Sequence, residues 1–298
     1  MIKITKRSIR LGRRRRIRIK PSKVLLFVFM VALAAFTMLP LVYIAATAFK
    51  PIDELFLFPP RFFVRRPVTQ NFRDLVMSLG GSTVPFLRYV LNSLLVTIST
   101  VALTVAVCAM CAYGVSKLKP AGSNVIFALA VAALMFSGHV TQIPRYLVVN
   151  GMGLVNTFFA LILPNIAVGY NMFLMKQFID QFPNEILEAS RIDGAGELRT
   201  FWKVVMPSLS PAWSTLVVLT AISTWNDYFS PLVYTSSQTM KTLPLALQTI
   251  AGGSAAASIG RAGAVAAASF LMIVPVIILY TVMQKKMIAT MVHSGIKS

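Results

Sequence analysis

Charged residues are spaced along this chain so as to leave six long uncharged gaps: Val24–Phe49, Tyr89–Ser116, Pro120–Pro144, Tyr146–Met175, Val204–Asn226 and Ala262–Gln284. About 20 apolar residues cross a bilayer as a helix, so each gap can hold one span. Expected spans lie near 24–49, 89–116, 122–143, 154–175, 208–233 and 262–284, with the polar start of the fourth gap, around Asn150 and Gly151, left to a loop. Lipid offers backbone groups no partners, and the period-2 alternation of barrel strands is missing, so helices are the expected answer. The pattern predicts an all-α integral membrane protein with a membrane domain over 24–286, a basic N-terminal segment over 1–23 and a short tail over 287–298.

Composition supports this: 56% of residues are hydrophobic and the mean hydropathy is +0.73. Lys and Arg set the orientation. With six passes, the N-terminus, the turn at Lys117 and Lys119, the segment 177–207 with its flank at Lys176, and the tail share one side of the membrane. They carry 20 of the 29 basic residues, which places both termini in the cytoplasm. The net charge of +20 does not point to nucleic acid. The run Gly12–Lys20, GRRRRIRIK, sits directly before a span, where it orients insertion and meets anionic headgroups. A cleaved signal peptide is not expected, since the first apolar run is longer than an h-region. The two external segments, Lys50–Arg88 and Thr235–Arg261, are too short to form domains with their own cores.

Catalytic chemistry is not in evidence. No GxxxxGK[ST] loop occurs, so an energy source must lie on another chain. Cys108 and Cys111 stand one helical turn apart in an apolar span and read as packing residues. His139 and His293 are too scattered for a metal site. Asp227, beside Trp225 and Asn226, is a lone intramembrane acid without an acid/base partner.

The segment before the fifth span is different, because five of the nine acids in the chain lie between Asp180 and Glu197. Pro183 and Asn184 are expected to open a helix, Glu185 and Glu188 to favour its positive end, and Gly194 with Gly196 to close it. A second short helix is expected from Glu197 to Met206, ending at Pro207. Ile186, Ala189, Ser190 and Asp193 fall on one face at helical spacing, and the small pair would let another surface approach closely. The alternative is a solvated connector in which Glu188 pairs with Arg191.

Glu188-Ala189-Ser190, Gly194, Val204 and Met206-Pro207 resemble the EAA loop of ATP-binding-cassette importer permeases, with its spacing intact and Ser190 and Val204 as conservative departures. Asn92-Ser93, the run TWNDYFSPLVY over Thr224–Tyr234 and the short basic tail with SGIK are similar to the carbohydrate, maltose-transporter type. The resemblance implies the type I permease fold and uptake of a carbohydrate, an oligosaccharide, across a bacterial or archaeal cell membrane. It also implies a second permease, two ATPase subunits that bind ATP and Mg, and an extracytoplasmic binding protein; this chain itself would be non-catalytic and hold no cofactor. Glu185, Glu188, Ala189, Ser190, Arg191, Asp193, Gly194 and Pro207 would form the contact with the ATPase, with Glu188 against a partner base. Asn92, Trp225, Asn226 and Asp227 would line the substrate path, or would cap helices and sit at the membrane interface. Gly252, Gly253 and Ser254 would touch the binding protein, or form a plain connecting loop. A secondary transporter or channel working without an ATPase, with Asp227 as its proton site, is the rival reading.

Overall fold

The computed structural model describes residues 21–80, 84–251 and 261–295. The chain divides into two compact units, Met1–Ile44 and Ala45–Ser298. Within the first, α1 (Pro21–Ala48, continuing four residues beyond the unit) has no apolar stripe because it is apolar all round, as a lipid-crossing helix is.

In the second unit, α2 (Ile52–Leu55) and α3 (Gln70–Gly80) precede α4 (Phe86–Leu118), whose last turn, Gly114–Leu118, widens to π geometry. Then come α5 (Ser123–Ala133), α6 (Gln142–Gly151), α7 (Phe158–Ile166), α8 (Gly169–Asp180) and α9 (Asn184–Ile192). α10 (Glu197–Ser208), α11 (Ser210–Trp225), α12 (Phe229–Tyr234), α13 (Leu243–Ala251) and α14 (Ala262–Gly295) complete the order, and no strand occurs among the described residues.

The first, second and sixth apolar gaps become α1, α4 and α14, each long and apolar enough to cross a membrane. The others are broken. The fourth is two helices, α7 and α8, bent by 45° around Ala167 and Val168, and the fifth is entered through an 80° turn between α10 and α11. α11 stops at Trp225, and the expected continuation to 233 is a separate helix, α12. In the third gap the longest helix, α5, has only eleven residues. At about 1.5 Å per residue α5 is roughly 16 Å long, against about 30 Å of hydrocarbon. Counting each bent pair as one span gives five spans among the described residues, with α5 as a shorter apolar helix.

α4 is the central post, packed against α7, α8 and α11, while α14 packs on α11 and α3. Small residues permit the close crossings, because association in lipid depends on packing rather than on expulsion of water. Ala109, Ala112 and Ala212 are fully buried, and a Cβ on Gly169 would lie 2.7 Å from the Ala130 carbonyl oxygen of α5. Beside the C-terminal end of α1, Asn71 Nδ2 donates to Ala48 O at 2.9 Å and Lys50 O at 2.7 Å. The buried Glu54 carboxylate accepts from the Arg65 and Arg66 amides at 3.1 and 3.3 Å, tying the segment between α1 and α3 to itself.

Candidate functional site

The acidic insert forms a short, rigid rod. Pro183 is extended and cannot continue α8, so it turns the chain into α9. At the far end Gly194 takes φ +77, the left-handed region. Its N–H donates to Arg191 O at 3.0 Å and that of Ala195 to Ser190 O at 3.1 Å, the paired bonds of a Schellman cap. Gly196 keeps an ordinary φ of −69 and leads into α10, so Gly194 alone makes the reversal.

One side of α9 is fastened to the membrane helices. Leu187 is buried with Tyr113, Phe182, Phe201 and Val205. Ser190 and Thr200, both buried, share a 2.6 Å hydrogen bond between hydroxyls. Glu197 joins three elements: Tyr113 of α4 donates to its Oε2 at 2.8 Å and Arg191 of α9 to its Oε1 at 2.9 Å. The Tyr113 hydroxyl first, and then Arg191, hold the Glu197 carboxyl below its ordinary value. Lys117 bonds Phe182 O at 2.6 Å and Asn184 Oδ1 at 2.9 Å, while Asp180 accepts from Ser116 and pairs with Lys176 at 2.6 Å.

The opposite side carries Glu185, Glu188, Ala189, Ile192 and Asp193, all exposed. Ile192 is 87% exposed, an apolar knob between carboxylates. Two expectations are corrected here. Ser190 turns inward and leaves the presented face, because its place at helical spacing is three residues from the core residue Leu187. Arg191 pairs with Glu197 rather than with Glu188. Pro207 ends the second helix less abruptly than expected. The backbone over Phe201–Val205 is a π turn, and helix persists to Ser208 before the bend. Pro207 cannot donate to the carbonyl four residues back, and π geometry is one way to absorb such a fault.

The expected path residues do not converge on one place. Asn92 is 7% exposed, and its Nδ2 donates to Thr239 O and Lys241 O, both at 2.9 Å. Ser93 Oγ accepts from Leu243 N at 2.8 Å. This pair clamps the segment after α12, and the path assignment of Asn92 is corrected to an anchor. Trp225 is buried, and its Nε1 donates to Met272 O at 3.0 Å, next to the Leu271 carbonyl that Pro275 leaves without its helical donor. Its ring lines an apolar cavity of about 380 Å³ with Leu94, Ile98 and Pro275. Asn226 is exposed and bonds back to Ile222 O at 2.8 Å.

Asp227 is half-buried and caps α12, accepting from Ser230 N at 3.0 Å. It also lines a polar cavity of about 400 Å³ with His139, Gln142, Arg145 and Asn165. Gly252, Gly253 and Ser254 lie outside the described residues. Tyr113, Lys117, Arg145, Asn165, Glu197 and Thr200 carry much of this geometry and were not named as site residues from the sequence. Only Glu197, as one of the clustered acids, left a signal there.

Residues 15–289 match the model of the family described as "binding-protein-dependent transport system inner membrane component". The chain belongs to that family. It is accordingly a multi-pass membrane protein of a transport system that works with a binding protein. Among relatives of this inner membrane component, protein LplC of Bacillus subtilis is 32% identical over 227 residues, 74% of this chain and 73% of LplC. The arabinooligosaccharides transport system permease protein AraQ of the same organism is 25% identical, over 92% of this chain and 96% of AraQ. The sn-glycerol-3-phosphate transport system permease protein UgpE of Yersinia pestis is 30% identical over 72% of this chain and 76% of UgpE. The fold matches that of a bacterial ABC transporter involved in import of the acidic polysaccharide alginate. The TM-score is 0.73 and the identity 24%, over 90% of this chain and 98% of that one.

Proposed function

We propose that this inner membrane component is a permease subunit of an ATP-binding-cassette importer for carbohydrate, with oligosaccharide as its cargo. AraQ, a relative along nearly the whole chain, supports the choice of cargo class. The chain forms the membrane path together with a second permease. Two ATPase subunits bind ATP and Mg below it, and an extracytoplasmic binding protein delivers the sugar. The chain itself breaks no bond.

The observation that carries the coupling role is the two-sided construction of α9. One side is tied to α4 and α10 through Leu187, Ser190–Thr200 and Glu197, and the other presents Ile192 between Glu185 and Glu188 to a partner. A rod held in this way passes displacement of a docked ATPase directly to α4. Burial of Ile192 in a groove favours docking, and a base on the ATPase facing Glu188 sets its register. The two packings that give inward and outward access then exchange as rigid groups.

The test is copurification of the ATPase with Glu188→Lys and Ile192→Glu variants, together with sugar uptake into proteoliposomes. Both variants should insert normally, lose the ATPase and abolish uptake. Normal association in both, or uptake by vesicles that contain no ATPase, would overturn the proposal.

A further inference from the structure

The second helix of the insert, α10, keeps one face for the protein and turns another outward. Thr200, Phe201 and Val205 are buried, whereas Leu198, Arg199, Trp202 and Lys203 are exposed. Leu198 is 67% and Trp202 47% exposed, apolar surface that gains by leaving water. Each stands beside a cation, Arg199 and Lys203, so successive turns offer one apolar side chain and one base. Apolar side chains edged with bases are the composition of a helix that lies in a membrane interface.

The bend into α11 sets the depth of this surface. α10 meets α11 at 80°, so with α11 crossing the bilayer α10 lies close to the membrane plane. Its side chains therefore keep the level at which α11 enters, and Trp202 stands about 10 Å along the helix from the bend. α14 marks that level independently. Lys285 and Lys286 are the first charges after the uncharged run 262–284, and Lys286 Nζ lies 4.7 Å over the ring of Trp213 in the first turn of α11. A lysine over a tryptophan where two spans leave the hydrocarbon is the arrangement of an interfacial belt.

Charge at this level is unbalanced. Arg199, Lys203, Lys285 and Lys286 are exposed and make no ion pair among the described residues. Glu197, the acid of α10, is already held by Tyr113 and Arg191. A protein partner would have to bring both carboxylates and an apolar groove to headgroup depth. An anionic phospholipid has both in one molecule: its phosphate meets the bases, and its glycerol and upper acyl region meet Leu198 and Trp202.

We infer that Arg199, Lys203 and Lys286, with Trp202 and Trp213, form a site for the headgroup of an anionic phospholipid in the leaflet on the insert's side of the membrane. The lipid braces α10 at a fixed depth, next to the Glu197 tie that joins α10 to α4 and α9. The value of that brace for coupling rests on the function proposed above; the site itself does not.

The test places the photoreactive residue p-benzoylphenylalanine at position 198 or 202 of the assembled transporter, with position 192, on the exposed side of α9, as the control. The complex is held in nanodiscs of equal phosphatidylglycerol and phosphatidylcholine, with one lipid or the other carrying an alkyne tag, and elution as one complex checks assembly. On illumination, positions 198 and 202 should capture lipid. Phosphatidylglycerol should be favoured by about five-fold or more, since each base near a membrane surface contributes roughly that factor. Arg199→Gln, Lys203→Gln and Lys286→Gln together should bring the ratio down to about one. Equal capture of the two lipids by the unaltered bases would overturn the inference. So would lipid capture at 192 equal to that at 202, or no lipid at both 198 and 202, whether or not the ATPase or second permease is captured there instead. Lipid capture needs no docked ATPase, so a control that fails to crosslink the ATPase would count against the coupling function and leave the lipid site standing.

Discussion

Two glycines, two residues apart, should respond in opposite ways to the same substitution. Gly194 holds φ +77, whereas Gly196 holds −69, and a Cβ built on either meets nothing within 4 Å. Steric crowding is therefore excluded at both, and only the backbone distinguishes them. A left-handed L-residue costs roughly 1–2 kcal/mol, and more for a β-branched side chain. Gly194→Ala should therefore lower the population of the closed Schellman cap by roughly 5- to 30-fold relative to competing loop conformations, and Gly194→Val by more. Gly194→Asn should recover much of the loss, since asparagine tolerates the left-handed region. Gly196→Ala should be neutral or slightly stabilising.

Hydrogen exchange at the Gly194 and Ala195 amides, which donate to Arg191 O and Ser190 O, reads the cap directly. ATPase copurification reads its consequence. Equal effects of alanine at 194 and 196, or a Gly194→Val variant with wild-type protection and association, would refute the argument that conformation at this one residue sets the rod.

Three further outcomes are expected. Asn92→Ala should leave the Lys241 carbonyl without its donor and the Thr239 carbonyl with Arg88 Nε alone; at about 1 kcal/mol for one half-buried group stranded in this way, the thermal midpoint should fall by a few degrees. An altered order of cargo preference with unchanged stability would instead restore Asn92 to the path. The Glu197 carboxyl is held below its ordinary value of 4.5, so the tie it makes contributes stability above that value and loses it as pH falls toward the depressed one. In detergent, wild type should therefore soften below about pH 4.5, and Glu197→Gln should flatten that part of the stability profile; an unchanged slope would refute the tie. Trp225→Phe keeps the ring in the apolar cavity but removes the donor to Met272 O; uptake should persist with a modestly lowered midpoint, whereas loss of uptake at unchanged stability would place the indole in the path.

Local chemistry carried the reading of the insert some distance. Pro183 and Gly194 act through their own φ angles, so the start of α9 and its reversal were legible without tertiary contacts. Ser190 and Arg191 were not. Which face of a nine-residue helix turns inward depends on what stands beside it, and Phe201, Thr200 and Glu197 reach it only after the chain reverses at Gly194. Likewise, Asn92 and Trp225 looked like ligands for cargo because isolated polar atoms near lipid require partners. The partners proved to be carbonyls distant in sequence, at Thr239, Lys241 and Met272.

Hydropathy alone determined that this chain crosses a membrane as helices, because a bilayer imposes one length and one hydrogen-bonding solution on every apolar stretch. It also set the acidic, glycine-broken insert apart from the apolar spans on either side of it. Tertiary structure decided where those stretches break, at Ala167–Val168 and at the bend after Ser208. It also decided, among the described residues, which polar atoms are left without a partner, the Asn165 amide oxygen being one. The physical reason is that a hydrophobic run reports only the free energy of leaving water. The partner of a buried polar atom is set by which distant backbone comes within about 3 Å of it.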